Sequence, residues 1–229
     1  MTSMAHSMEN ISFSAMGYTQ SKRVYRGAVT WPHPTALLGI SLELYNKIFL
    51  RGPSVHFSLN ERKHPFQFKV GLRYSTDDKP MISLSNHKED FRNKRGDSFN
   101  IYSSVKYGLG FRNLFYLGAK VIRDLSRYHT SHFVLSAGAP VFPFTSLKIE
   151  YGIGSKASNQ YAYGTEAVSG EGHFGLGLKI VLVRLPWSGI AFFDFDNTWI
   201  LQNENRYADY VRGDFKNSKI STRLIWKFK

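Results

Sequence analysis

The chain contains no cysteine, which excludes disulfide frameworks and cysteine-based zinc sites. No run of eighteen apolar residues occurs, so a transmembrane helix is excluded as well. Acidic residues are scarce: 17 Asp and Glu stand against 30 Lys and Arg, for a formal charge of +13. Such a balance suits nucleic acid, anionic headgroups or acidic partners. Basic residues never occur five in a row, so the charge is spread out, and no nucleic-acid partner is expected. Residues 1–10 (MTSMAHSMEN) have neither the basic n-region nor the apolar h-region of a secretory signal. They read as a disordered N-terminal segment before a single domain spanning 11–229. Windows with a 3.6-residue period are missing too; glycine, β-branched and aromatic residues interrupt each one, and no helix is expected.

What remains is a period of two. Aromatic residues reach 15%, with 18 Phe and 13 Tyr, types that favour a pleated surface. In 66–74, Phe66, Phe68, Val70, Leu72 and Tyr74 alternate with Gln67, Lys69, Gly71 and Arg73. In 98–108, Phe99, Ile101, Val105 and Tyr107 oppose Asn100, Tyr102, Ser104 and Lys106. At the end, Ile220, Thr222, Leu224, Trp226 and Phe228 oppose Ser221, Arg223 and Lys227. Alternation of this kind makes a strand with two unlike faces. Further strands are expected at 11–19, 36–45, 48–60, 113–123, 132–140, 146–154, 173–183 and 189–201. Turn signals separate them at Tyr45-Asn46-Lys47, Asn60-Glu61-Arg62-Lys63, Gly108-Leu109-Gly110 and Leu185-Pro186-Trp187-Ser188-Gly189.

Strands of 8–12 residues are long enough to cross a bilayer when tilted. Two architectures alternate in this way. A soluble β-sandwich buries one face of each sheet; an outer-membrane barrel turns one face to lipid. The polar face here is rich in Gly and Ser with isolated Lys and Arg, as a crowded lumen requires. The apolar face carries aromatics near strand ends, such as Tyr74, Tyr107, Tyr151 and Trp226. The barrel is therefore the expectation: all-β, antiparallel and transmembrane, in the bacterial outer membrane, with lipid as its first partner. Eleven segments are visible, and single-chain barrels use even strand numbers. Twelve strands are expected, with ten as the alternative. The hidden strand is placed at 157–166, or the first segment is unpaired.

Several landmarks resemble the MltA-interacting protein/OmpV family of outer-membrane proteins. They are Met16-Gly17-Tyr18, Tyr25-Arg26-Gly27, Pro32-His33-Pro34, Asp124-Leu125-Ser126, Asn159-Gln160-Tyr161-Ala162-Tyr163-Gly164 and the closing Arg223-Leu224-Ile225-Trp226-Lys227-Phe228. The resemblance runs from about residue 11 to 228. It implies a barrel without a catalytic site or cofactor. It also implies a scaffold or envelope-maintenance role, with murein-processing enzymes or other envelope proteins as partners. Trp226 and Phe228 would be the aromatic end read by the assembly machinery, although Lys229 follows here where the family usually stops.

Other residues invite chemistry. His129 and His132 lie beside Ser126 and Ser131, and a Ser–His pair could activate a hydroxyl. Their spacing puts the two His on opposite faces of a strand, and a polar turn explains Leu125–Thr130 as well. Asp194 and Asp196 share a strand face and can hold a cation or offset lumen cations. Gly172-His173-Phe174-Gly175-Leu176-Gly177 is not a phosphate loop, because no helix follows it. The inward set is basic: Lys69, Arg73, Lys106, Lys120, Lys148, Lys179, Arg223 and Lys227 face Glu43, Glu150, Asp194 and Asp196. Such a lumen could pass anions or be plugged by paired charges. The segment 77–97 (DDKPMISLSNHKEDFRNKRGD) is the longest stretch without strand pattern, and long loops carry function. It would be periplasmic if 157–166 is a strand, and extracellular if the extra strand lies before residue 45. Three readings stay open: a non-enzymatic scaffold, a narrow pore for small anionic solutes, and a barrel lipid hydrolase.

Overall fold

The computed structural model describes residues 11–45, 47–51, 54–60, 64–75, 82–83, 98–109, 115–126, 129–186 and 188–228. Twelve strands form its wall: β1 (Ile11–Gln20), β4 (Thr35–Leu44), β5 (Ile48–Arg51), β6 (Ser54–Ser58), β7 (Phe66–Ser75), β9 (Ser98–Leu109), β10 (Phe115–Asp124), β11 (Ser131–Phe142), β12 (Thr145–Gly154), β13 (Gly170–Leu185), β14 (Gly189–Ile200) and β15 (Lys216–Phe228). Three short strands complete the fold: β2 (Arg23–Tyr25) and β3 (Ala28–Trp31) form a separate hairpin, and β8 (Ile82–Ser83) adds to the start of β4. Every wall pairing is antiparallel, and β1 pairs with both β4 and β15. The circuit is therefore closed, as hydrocarbon demands, although β4 meets β5 only over Ser41–Leu44 and β8 only at Thr35 and Ala36.

The expected twelve strands are present, but the twelfth is not where the sequence placed it. Residues 157–166 do not form a strand; Lys156–Tyr163 is a helix, α1. The extra strand comes from 48–60, which divides into the β5–β6 hairpin with Arg51 opposite Ser54. Gly52-Pro53 stands between them in the sequence, a turn signal in its own right. The absence of helices is also corrected, since Asn203–Tyr207 forms a second one, α2. In α1, Ser155 is the N-cap and accepts from Ser158 N at 3.2 Å, while Gly164 at φ +122° ends the helix. Asn159, Tyr161 and Tyr163 recur at every second residue and imitate a strand.

Alternation along the wall sends one face outward. Phe66, Val70, Leu72, Tyr74, Phe99, Ile101, Tyr107 and Leu109 are exposed, as are Phe115, Leu117, Val121 and Phe228. A closed barrel with so much exposed apolar surface is stable only in lipid. The chain is thus an outer-membrane barrel. Aromatic pairs mark both rims of the wall: Phe13 with Phe228 at 5.9 Å near one, Phe174 with Trp199 at 5.6 Å near the other.

The two ends differ. At one, the connections are 45–47, 59–65, 110–114, 143–144 and 186–188. At the other they include 21–34, 76–97, 155–169 and 201–215. Short turns are periplasmic and long loops extracellular in such barrels. β7 and β9 meet at Ser75 and Ser98, at the long-loop end. The charged segment 77–97 leaves from there, and it lies outside the described residues except for Ile82–Ser83, which pair with Thr35 and Ala36. Residues 1–10 also lie outside them.

Among the described residues, the cluster of buried apolar residues lies mostly outside the wall, with Ile200 at the end of β14 its one member from a wall strand. Ala28, Ala162, Tyr163, Ala167, Ile200, Ala208 and Val211 gather at the extracellular end, with Tyr25 and Phe215 against them. Three connections contribute: the β2–β3 hairpin, the α1 loop and the α2 loop. Together they form a compact cap.

Candidate functional site

The β2–β3 hairpin turns through Arg26 and Gly27, both with positive φ (50° and 94°), between the paired Tyr25 and Ala28. That is the backbone of a type I′ turn, where glycine is favoured. A side chain on Gly27 would also meet Ile200, with Cγ1 2.9 Å from the added Cβ. The turn is held by polar contacts to distant elements. Tyr163 Oη donates to Arg26 O at 3.0 Å, and Asn217 Nδ2 donates to Gly27 O at 2.9 Å. Arg26 Nη1 donates to Ser158 O at 3.2 Å and lies against Ser158 Oγ. Arg26 is thereby fixed over the lumen, where it lines two cavities at once.

The interior is a chain of adjoining cavities. The lowest, about 260 Å³, lies among Ser12, Ser14, Glu43, Phe49, Lys69 and Lys227. It shares Arg51 with a central cavity of about 570 Å³ that holds Tyr18, Tyr116, Lys179, Asp194 and Arg223. That one shares Lys148, Asp196 and Lys219 with a third of about 250 Å³ beneath the hairpin. The third shares Arg26, Glu150 and His173 with a fourth of about 220 Å³. Arg51 and Arg26 stand at junctions of this series.

All eight basic residues singled out in the sequence point inward. Lys69, Arg73, Lys120, Lys148, Lys179, Arg223 and Lys227 line the cavities, and Lys106 lies 4.1 Å above the ring of the inward Tyr116. Arg26, Arg51 and Lys219 join them. Among the described residues, Glu43, Glu150, Asp194 and Asp196 stand against these eleven cations. Asp194 takes both Nε and Nη2 of Arg223, the former at 2.8 Å. Asp196 takes Lys219 at 3.1 Å, and Glu150 takes Lys148 at 2.5 Å. The two aspartates thus hold lumen cations.

Tyr102, which alternates with the outward residues of 98–108, and Phe192 both face inward and carry lysines. Lys120 lies 4.6 Å from the Tyr102 ring centroid and Lys179 lies 4.0 Å from that of Phe192. Ring faces attract cations, so several lysines are held against inward rings. Small residues opposite the rings give them room: a Cβ on Gly71 would sit 2.6 Å from Tyr102 Cζ.

The other sequence candidates separate. His129 is exposed in the 125–130 connection, whereas His132 is buried and faces inward. Ser126 donates through its N and Oγ to Asp124 Oδ1, at 3.0 and 2.6 Å, closing a polar turn; Asp124 itself is buried. Gly17 lies in β1 facing lipid beside Leu224, and Pro32 and Pro34 lead from the hairpin into β4. Tyr161, Tyr163 and Gly164 belong to α1 and its end. Trp226 and Phe228 lie at the periplasmic end of β15. His173 and Gly177 are inward residues of β13. Among the described residues, no three His, Cys, Asp or Glu side chains are grouped to hold a metal.

No family model matches the chain, and no curated protein matches it. Among solved structures it is similar to an outer membrane channel from Pseudomonas putida F1, at 12% identity over 96% of each chain and a TM-score of 0.47. It is similar to the NanC porin at 11% identity, over 96% of this chain and 99% of that one, with a TM-score of 0.44. It is also similar to Salmonella typhi OmpF in complex with daunomycin, at 9% identity over 96% and 97% of the two chains, TM-score 0.41. At these identities the barrel rests on the chain's own strand pairing, read above: an outer-membrane β-barrel with a basic, cavity-bearing lumen.

Proposed function

We infer that the protein is a narrow pore for small anionic solutes. The observation that carries this reading is the lumen: adjoining cavities run from the periplasmic turns to the cap, and among the described residues eleven cations there face four carboxylates. A charged lining of one sign selects permeant ions of the other. Excess charge inside a low-dielectric wall is screened less than charge on a surface, so selectivity survives moderate salt. Purified protein in a planar bilayer under a tenfold KCl gradient should give a reversal potential on the chloride side. A closed membrane, or cation preference, sinks the reading.

A scaffold role has the family resemblance as its support. The described periplasmic turns are short, which offers little surface to murein enzymes; the loop 77–97 leaves from the opposite end. Deleting 79–95 should leave the barrel folded, because loop length contributes little to stability. If the same deletion removes a co-purifying envelope protein, the scaffold reading gains over the pore.

A further inference from the structure

We propose that the uppermost cavity is a binding site for a small ring-bearing carboxylate, the solute that the pore selects; the proposal rests on the pore reading for its biological role but not for its binding chemistry. Arg26, Arg73 and Lys120 line this cavity of about 220 Å³. None of the three has a carboxylate partner among the described residues, since the one carboxylate in its lining, Glu150, is engaged by Lys148. Lower in the lumen, Arg223 and Lys219 are each matched to an aspartate. Three cations without a carboxylate partner among the described residues, in a partly desolvated pocket, favour an anion.

The rest of the lining describes the body of that anion. His132 and His173 stack at 5.5 Å with planes 15° apart. They are 3% and 8% exposed. Both nitrogens of His132, and Nδ1 of His173, have no hydrogen-bond partner among the described residues. Buried polar atoms are normally paired, so these nitrogens await a hydroxyl or a water. Beside them on the same wall stand Ile122, the cross-strand partner of His132, the ring of Tyr102 next to it, and Val134 two residues along β11. Inorganic phosphate or chloride would leave that surface bare. A flat ring would cover it, with its carboxylate toward the cations and a ring hydroxyl toward the histidines. The volume lies below the range for drug-sized ligands, which suits a single substituted ring.

The test is equilibrium binding of 4-hydroxybenzoate to the full-length barrel folded in detergent, followed by calorimetry. Wild type should bind it at least tenfold more tightly than acetate, which has the charge alone, and than phenol, which has the ring alone. The double variant Arg73→Gln/Lys120→Gln should weaken binding at least tenfold. Val134→Trp, which keeps every charge and fills the space, should weaken it as much. Folding of each variant is checked by its altered gel migration before boiling. Equal binding of acetate and 4-hydroxybenzoate, or undiminished binding by folded Val134→Trp, overturns the site. Binding without conductance in a planar bilayer would keep the site and remove the pore; anion conductance without binding would do the opposite.

Discussion

At the scale of single residues, position across the wall decides cost. Val70 lies halfway along β7, outward, between Phe57 and Ser103 on the neighbouring strands. Val70→Arg puts a charge at mid-bilayer and should cost about 2–4 kcal/mol, while Phe66→Arg, four residues nearer the rim, should cost about 0–1 kcal/mol. Refolding titrations into lipid vesicles measure both, and equal costs would mean that the faces or the depth are assigned wrongly. Inward residues divide by partnership. Arg223→Ser strands the buried Asp194 and should cost about 3 kcal/mol, in the range for breaking a buried pair. Adding Asp194→Asn should restore most of that loss. Lys227→Ser, at the periplasmic mouth, should change little; if all three variants behave alike, the Arg223–Asp194 pair is not holding the wall.

At the scale of elements, the wall was legible and the cap was not. Strands β7, β9 and β15 lie within a few residues of their alternating segments, because a lipid face and a wet face impose the period directly. The turn signals at Tyr45–Lys47, Gly108–Gly110 and Leu185–Gly189 all fall at the periplasmic end. There a connection has only to reverse the chain. Extracellular connections carry structure of their own, and there the reading failed: Asn159, Tyr161 and Tyr163 belong to a helix, and their alternation is an accident of three large residues. The lumen cations were legible for the same reason as the strands. Arg26 was not, since it reaches the lumen from a hairpin whose place depends on Tyr163 and Asn217, far away in the chain. Gly27→Val tests that placement. A β-branched residue at φ +94°, with its Cβ against Ile200, should dislodge the hairpin at a cost of about 1–3 kcal/mol. The barrel should still migrate anomalously on gels, while single-channel conductance rises and becomes noisier. Unchanged conductance would show that Arg26 does not narrow the path.

At the scale of the whole molecule, closure is the governing fact. A closed wall resists detergent at room temperature, so unboiled protein should migrate differently from boiled protein; identical migration would contradict the circuit. The aromatic end of β15 belongs to the same scale: Phe228 meets Phe13 across the β1–β15 pairing, and Phe228→Ser should lower the amount of barrel in the outer membrane. That pairing has a further consequence. It joins the first strand to the last, so it is the final seam to zip, and until then both strands expose edges that invite aggregation. The opposite rim of the seam is clasped by the cap. Ser21 N donates to Ile220 O at 2.8 Å, Ile220 N donates to Ser21 Oγ at 3.1 Å, and Lys22 Nζ reaches Asn217 at 2.8 Å. With a clasp at each rim, the seam should fray no faster than the hairpins on either side of it. Amide exchange at Ser21 and Ile220 should therefore be slow, and Asn217→Ala should quicken it there while leaving the amides around Phe13 and Phe228 unchanged.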